Sequence, residues 1–393
     1  MSKRRGNGEG SISQRKDGLW QGQATIGRDP DTGKLKRISL YGKTRKEVQE
    51  KLNDALQRVK NNTYSEPTKL TVGEWLKTWL NDYMKNSVRV TTWESYKLMI
   101  EKHIYPSLGF IKLTQLQTGH LQKLYNEKLV GGRADGKEGG LSPRTVRYMH
   151  TILHSVLVQA IKEKKITINP AEAVKLPQNN KKEMQILDIS GVKKFLKSAK
   201  ENRYYTAFYL ELSTGLRRGE LLGLRWEDID FKNGLIEVKQ QLVKTSGGKH
   251  LFQEPKTHLS RRTINVSEDV VSDLKEYKKR QAEERKKLGL SELYKGLVFT
   301  NEFGEFIQPR NFVRTFKSIL KKAGLDEGLR FHDLRHTFAT LSLQQGVDIK
   351  TLQSDLGHHT AAFTLDIYGH VTKDMKKDAA DKRSEYLKEC ITE

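Results

Sequence analysis

Only one of the 393 residues is a cysteine, Cys390. A lone thiol excludes an intramolecular disulfide and any zinc site built on several cysteines, and it suits a reducing compartment. The chain has no apolar run long enough to span a bilayer. Met1-Ser2-Lys3-Arg4-Arg5 leads into polar residues rather than the apolar core of a signal peptide. The expected location is therefore cytoplasmic, with no membrane partner. Acidic residues are also scarce: 48 Asp and Glu stand against 71 Lys and Arg, a formal charge of +23. Such an excess sets up a positive field that a polyanion would neutralise, and nucleic acid is the leading candidate over a merely soluble basic protein. The excess is spread evenly, at +8 for residues 1–65, +7 for 66–180 and +8 for 181–393, so it is not a detachable basic tail. A hydrophobic fraction of 36% with 30% charged residues describes globular domains, and the length predicts two or three of them.

The first segment, 1–65, reads as a small sheet followed by a helix. Asp17-Gly18 is a two-residue hairpin signal and Asp29-Pro30-Asp31-Thr32-Gly33 a second turn, which puts strands near 10–16, 19–27 and 34–41. Thr44 and Glu47 form a capping-box pair that opens a helix to about Lys60. In the second strand Trp20, Gly22, Ala24 and Ile26 share one face, and Gln21, Gln23 and Thr25 the other. The third strand separates Ile38 and Leu40 from Arg37, Ser39 and Tyr41. One face can pack on the helix. The other, polar and basic, has the chemistry to read base edges in a major groove, and equally that of a solvated sheet face.

Ser65-Glu66-Pro67-Thr68 interrupts the pattern, and a helical stretch assigned to 66–178 starts at about Thr71. Thr91 and Glu94 are a second capping-box pair, and Ser142-Pro143 is an N-cap and N1 pair for a helix carrying Val146, Met149, Ile152, Leu153 and Val156. Arg144 and Arg147, three apart near that N-terminus, are candidate phosphate contacts, although a charged solvent face has the same pattern. The polar stretch Leu176–Lys182 marks the next boundary, and 183–393 forms a mixed third domain. It is expected to hold helices near 203–213 and 218–224, then strands around 234–243, 250–254 and 261–266 with a Gly247-Gly248 turn, then helices to the end.

Scattered pieces of this third domain occur in a telling order. Thr214-Gly215-Leu216-Arg217-Arg218-Gly219-Glu220 resembles the first signature of tyrosine recombinases, with its arginine at Arg217. His332-Asp333-Leu334-Arg335-His336-Thr337 resembles the second, Leu356-Gly357-His358 resembles a third element, and Tyr368-Gly369-His370 sits where that family has its nucleophile. Between the first two, Pro255-Lys256-Thr257 followed by Ser260 and Arg262 looks like the hairpin that presents the family's catalytic lysine. Taken singly each piece is ordinary: Tyr368 reads as a helix-packing residue, and the histidine spacings fit no metal motif well. Only their ordered conjunction points to an active site, and only the family register prefers Arg217 over Arg218.

The resemblance implies a multidomain α+β protein. An N-terminal three-stranded sheet plus helix would bind arm-type DNA sites, a helical SAM-like domain would bind the core site, and a mixed α/β, mainly helical domain would carry catalysis, the last two closing as a clamp on the duplex. It implies a site-specific integrase acting on double-stranded DNA as a homotetramer, through a 3′-phosphotyrosine and a Holliday junction, with an excisionase or host DNA-bending protein as further partners. The chemistry fits those residue types. A phenol forms a reversible phosphate ester, two arginines can grip the non-bridging oxygens, and Lys256 would protonate the leaving oxygen. His332, one turn from Arg335, would move the tyrosine proton, His358 would contact the phosphate, and Glu220 would fix the Arg217 guanidinium. The scheme needs no metal, cofactor or ATP. Two rivals share parts of this pattern: a type IB topoisomerase, and a DNA-binding regulator with vestigial catalytic residues.

Overall fold

The computed structural model describes residues 10–28, 33–60, 69–179, 184–245, 247–255, 261–289 and 294–368, with a few positions between 383 and 390. The chain divides into two compact units, 1–180 and 181–393.

The first unit begins with strands β1 (Ser11–Gln14), β2 (Trp20–Arg28) and β3 (Leu35–Gly42), paired antiparallel in that order. Helix α1 (Arg45–Lys60) packs on one face of the sheet. Thr44 Oγ1 accepts the Glu47 N–H at 3.2 Å, while the Glu47 carboxylate accepts the Lys43 N–H at 2.9 Å, so the predicted cap forms with its return bond one residue early. The alternation read from sequence is realised: Ala24, Ile38, Val48, Leu52 and Ala55 are buried, whereas Gln23, Thr25, Arg37, Ser39 and Tyr41 are exposed. Gly22 has to be glycine, because a Cβ there would lie 2.8 Å from Val48 Cγ1. The first hairpin differs from expectation. Arg15 N–H bonds Leu19 O at 2.8 Å, so the loop is Lys16-Asp17-Gly18, three residues rather than two, with Gly18 at φ +82°. Of the second turn, residues 29–32 lie outside the described residues.

The rest of the described part of this unit is mainly helical. Helix α2 (Val72–Thr78) runs into a π-helical turn at Trp79–Met84, α3 (Val90–Met99) into another at Ile100–Ile104, and α4 (Tyr105–Leu108), α5 (Thr118–Val130) and α6 (Pro143–Lys162) follow. Their core gathers Trp75, Leu76, Ile104, Leu121, Tyr125, Met149 and Leu153, and the buried Trp75 indole donates to Val156 O at 3.0 Å. The Ser142-Pro143 start is realised, with Ser142 Oγ accepting the Thr145 N–H at 3.2 Å. The predicted Thr91–Glu94 cap is not: α3 starts two residues earlier, with Arg89 as N-cap, and Thr91 lies inside the helix. The reciprocal capping box falls instead at Thr71 and Glu74, ahead of α2.

The second unit opens with α7 (Ile189–Ala199), α8 (Tyr205–Thr214) and α9 (Arg218–Gly223). Strands β4 (Ile229–Asp230), β5 (Leu235–Glu237), β6 (Gln241–Lys244), β7 (His250–Gln253) and β8 (Thr263–Asn265) follow. The predicted strand 234–243 is two strands in two sheets, because β5 pairs with β4 and β8 whereas β6, among the described residues, pairs with β7 alone. The chain passes from one sheet to the other through Lys239-Gln240, where the Gln240 amide donates to Gly223 O at 2.8 Å. Helices α10 (Glu268–Lys287), α11 (Pro309–Lys322), α12 (Phe331–Gln344), α13 (Ile349–Leu356) and α14 (Ala361–Tyr368) complete the described part. An aromatic core of Phe195, Phe208, Phe312, Phe316 and Phe331 fixes the α7, α8, α11 and α12 packing. Among the described residues no helix is long and apolar enough to cross a membrane.

Candidate active site

Four helix ends and one helix interior build the candidate site. Helix α8 ends at Gly215, which holds the left-handed conformation at φ +61° and lies so close to Phe338 that a Cβ would meet its Cδ1 at 2.4 Å. That turn aims the Gly215 carbonyl at Arg335 Nη1, which donates to it at 2.5 Å. Arg335 comes from inside α12, is 2% exposed, and gives its Nη2 to Leu356 O at the end of α13. Arg217 is the N-cap residue of α9: its N–H and Nη1 bond the two Glu220 oxygens at 2.9 and 2.8 Å, and its Nη2 reaches Gly357 O at 3.3 Å. The two guanidiniums, 118 residues apart in sequence, thus hang from neighbouring backbone carbonyls, with Arg217 partly open to solvent and Arg335 behind it.

Glu220 does more than the sequence implied. It is 3% exposed and also accepts from Arg262 Nη2 at 2.9 Å, while Arg262 Nε donates to Asp355 O. Burial pushes its carboxyl up, but Arg262 and then Arg217 outweigh that and hold it down to about 2. Burial, and then the like charges of Arg217 and Arg262, lower the Arg335 guanidinium from its ordinary value.

His358 is buried, with Nδ1 3.0 Å from Thr364 Oγ1. Burial and then Arg335, Arg217 and Arg262 push it down to about 3, so it is a neutral imidazole at physiological pH. His332 stands at the exposed rim, its ring 4.9 Å from that of His336. Desolvation on its inner side, then His336, Arg335 and Arg217, hold it below the ordinary histidine range, and solvent on its outer side softens that effect. Tyr368 ends α14 and is 1% exposed, packed with Ala339, Leu343, Leu352 and Leu356. Burial pushes its phenol up to about 12 against the pull of Arg335. Its oxygen lies 2.8 Å from Nδ1 of His336, not from His332. His336 stands within the His332–Thr337 motif, which gives it no role. Its signal was the His332 and His336 spacing of one helical turn, but that spacing alone does not tell which ring meets the tyrosine.

A further carboxyl sits in this cluster. Glu211 on α8 is fully buried, and among the described residues neither of its oxygens has a hydrogen-bond partner; Arg262 Nη1 is likewise buried and without one. Burial raises the Glu211 carboxyl well above 4.5, opposed by Arg335 and reinforced by Glu220. The folded chain therefore keeps a proton that the unfolded chain gives up near pH 4.5, and wild-type stability declines as pH climbs from there through the folded value. Glu211→Gln is expected to remove that decline, so the Tm advantage of the variant should widen between pH 5 and 8. Parallel melting profiles for the two proteins would show that Glu211 titrates normally.

Lys256 and His370 lie outside the described residues, although the β6–β7 hairpin is described on both strands and as far as Pro255. The proposed DNA contacts lie in the first unit. Gln21, Gln23 and Thr25 stand opposite Tyr41, Ser39 and Arg37, and the Gln21 amide donates to Ser39 Oγ and Tyr41 Oη at 3.4 Å. Arg144 and Arg147 are exposed on the first turns of α6, with Arg147 Nε bonded to Pro177 O at 2.8 Å.

Residues 182–375 match the phage integrase family, and 71–129 match the phage integrase N-terminal SAM-like domain. A tyrosine recombinase XerC-like protein of Caldanaerobacter subterraneus subsp. tengcongensis is 32% identical over 375 residues, covering 91% of this chain and 93% of that one. The ICEBs1 integrase of Bacillus subtilis is 28% identical, covering 96% of this chain and 100% of the relative. Among solved structures, the Tn1549 transposon integrase in complex with transposon right end DNA superposes with a TM-score of 0.67 at 23% identity, over 79% of this chain and 99% of that one. A lambda integrase dimer bound to a core site gives 0.56 at 20%, over 93% and 96%. These two likenesses concern the fold, whereas the curated relatives extend over nearly the whole sequence and carry the assignment: the chain belongs to the phage integrase family of tyrosine recombinases, enzymes that cleave and rejoin DNA.

Proposed function

We propose that this recombinase is an integrase of a prophage or conjugative element, and that it joins element and host DNA through a 3′-phosphotyrosine at Tyr368. The observation that carries the reading is the convergence of Arg217, Arg335, His358 and Tyr368 on the turns at Gly215 and Leu356-Gly357. Two fixed cations in a partly dry pocket suit a phosphodiester whose charge grows as the phosphorus becomes five-coordinate. Planar guanidiniums can each offer paired N–H groups to its non-bridging oxygens. Tyr368 attacks phosphorus, the bond to the 5′ oxygen breaks, and Lys256 protonates that oxygen. His358 contacts the phosphate, while Glu220 positions Arg217 and Arg262. The ester conserves the energy of the broken bond, so the reverse step rejoins DNA without ATP. Digesting the covalent complex and locating the nucleotide-bearing peptide tests the core of this reading: the adduct is expected on Tyr368, with a free 5′ hydroxyl on the DNA.

The wider scheme assigns residues 1–65 to arm sites, 66–178 to the core site and 183–393 to catalysis, in a homotetramer that passes through a Holliday junction. A lambda integrase tetramer bound to a Holliday junction, 21% identical to this chain, supports that assembly. An excisionase or a host DNA-bending protein would set direction by bringing arm and core sites together. The flat polar face of β2 and β3, with Gln21, Gln23, Thr25, Arg37, Ser39 and Tyr41, is the arm-site reader, and Arg144 and Arg147 are backbone contacts. Removing residues 1–69 is expected to leave cleavage of a short core site within a few-fold while abolishing arm-site footprints and recombination of full attachment sites. Arm binding should also weaken steeply with salt, since each phosphate neutralised releases counterions. Full-site recombination by the truncated protein at the intact rate would remove the arm-binding role.

A further inference from the structure

We propose that His336 is the catalytic residue that takes the phenol proton of Tyr368, the role the sequence assigned to His332. The inference rests on Tyr368 being the nucleophile and goes further by naming its base. Proton transfer needs hydrogen-bond reach, directly or through one water, and the direct contact that Tyr368 Oη makes in the structure is with His336 Nδ1 at 2.8 Å. His332 has no such contact. Its ring lies against that of His336 and stands at the rim of the site, one helical turn earlier on α12.

The protonation states run the right way. The groups that face His336 are His332, Asp333, Arg335 and Arg330 along and just before α12, His358 from the turn after α13, and the Tyr368 phenol from α14. Burial comes first among their combined effects and lowers the imidazole, Asp333 opposes it, and Arg335 and Arg330 add to it. A neutral ring results at pH 7, so the phenol donates and Nδ1 accepts. As Oη bonds to phosphorus its O–H bond breaks and the proton passes to Nδ1. The P–O5′ bond breaks, and O5′ receives a proton from Lys256. Asp333, buried on the preceding turn, partly offsets the charge of the imidazolium. Rejoining runs the same transfers backwards.

The test uses the full chain on a nicked suicide substrate, with adduct formation followed from pH 5 to 9. Asn at position 336 can still accept a hydrogen bond near the Nδ1 position but cannot carry the proton. His336→Asn is expected to bind the site normally and to form adduct roughly 10²-fold more slowly or worse. It should lose the acid-side decline that the wild type shows as His336 protonates, whereas His332→Asn should keep that decline. A 5′-bridging phosphorothiolate, whose sulfur leaves without a proton, should rescue Lys256→Ala and leave His336→Asn slow. His336→Gln provides a second variant if the Asn protein fails to bind its site. Four outcomes would overturn the assignment: a His336→Asn rate within a few-fold of wild type with its acid limb intact, a faster rate, which would make the hydrogen bond a restraint, loss of the limb in His332→Asn instead, or rescue of His336→Asn by the thiolate. Tyr368→Phe in the same assay separates the levels. An adduct from that variant would overturn the nucleophile and the base together, whereas a silent Tyr368→Phe beside a fast, acid-sensitive His336→Asn would overturn the base alone.

Discussion

Tyr368→Phe is expected to bind its recombination site with unchanged affinity and to trap no covalent DNA on a nicked substrate. The substitution removes one oxygen and nothing else. The ring that fills the space between Ala339, Leu343, Leu352 and Leu356 is retained, so the packing that anchors α14 survives. What is lost is the hydrogen bond to His336, whose Nδ1 then lacks its phenol partner. That costs roughly 1–3 kcal/mol at most, and less if water reaches the rim side of the ring. Such a loss lowers Tm by a few degrees and leaves DNA binding, which is spread over a surface of charge +23, intact. Without the oxygen no ester can form, so the catalytic effect is complete rather than partial. Gel-shift titration beside a denaturing-gel assay for the adduct measures both halves. Adduct at wild-type yield would transfer the nucleophile to another residue, and equal loss of binding would mean that the ring oxygen holds the fold.

The parts of this molecule legible in its sequence are those governed by local rules. Alternation in β2 and β3 gave the buried and exposed faces residue by residue, and Ser142-Pro143 gave the start of α6, because period and capping act within a few residues. Where a local signal had a competitor, position was lost. Thr91 and Glu94 have the capping spacing, yet the helix extends past them to Arg89, and the 234–243 run hides the break at Lys239-Gln240 that divides it between two sheets. The site divides the same way. Arg217 and Glu220 are three apart at a helix start, and their pairing could be read from spacing. Arg262 on Glu220, Arg335 on the Gly215 carbonyl and His336 on Tyr368 join residues 42, 120 and 32 positions apart, so no local pattern encodes them. Glu211 shows the limit most clearly. On α8 it reads as an ordinary helix glutamate, and only tertiary packing, of α12 against that helix among others, makes it a buried carboxyl beside Arg335 and Arg262.

Arg217→Lys is expected to lower the rate of adduct formation by roughly 10²- to 10³-fold, the size of losing one aligned donor set on a developing anion, while site binding changes little. Arg218→Lys should cost only a few-fold. The two side chains are neighbours in sequence but have opposite settings. Arg217 is bound on one side by Glu220 and the Gly357 carbonyl, which fixes the plane of its guanidinium and leaves it partly exposed toward the site. Arg218 is the first residue of α9 and is exposed. A lysine ammonium at 217 keeps the charge but has three donors on a flexible stem. It cannot bond Glu220 and the Gly357 carbonyl and still present a planar pair of N–H groups to phosphate oxygens. Part of the positive field persists, so the variant should bind DNA and assemble while the chemical step fails. The residual rate should not be restored by higher DNA concentration, since the deficit lies in the transition state rather than in encounter. Single-turnover rates at saturating DNA for both variants decide the matter: if Arg218→Lys shows the larger loss, the register of the first signature is displaced by one residue and the pocket built on Arg217 is not where the phosphate sits.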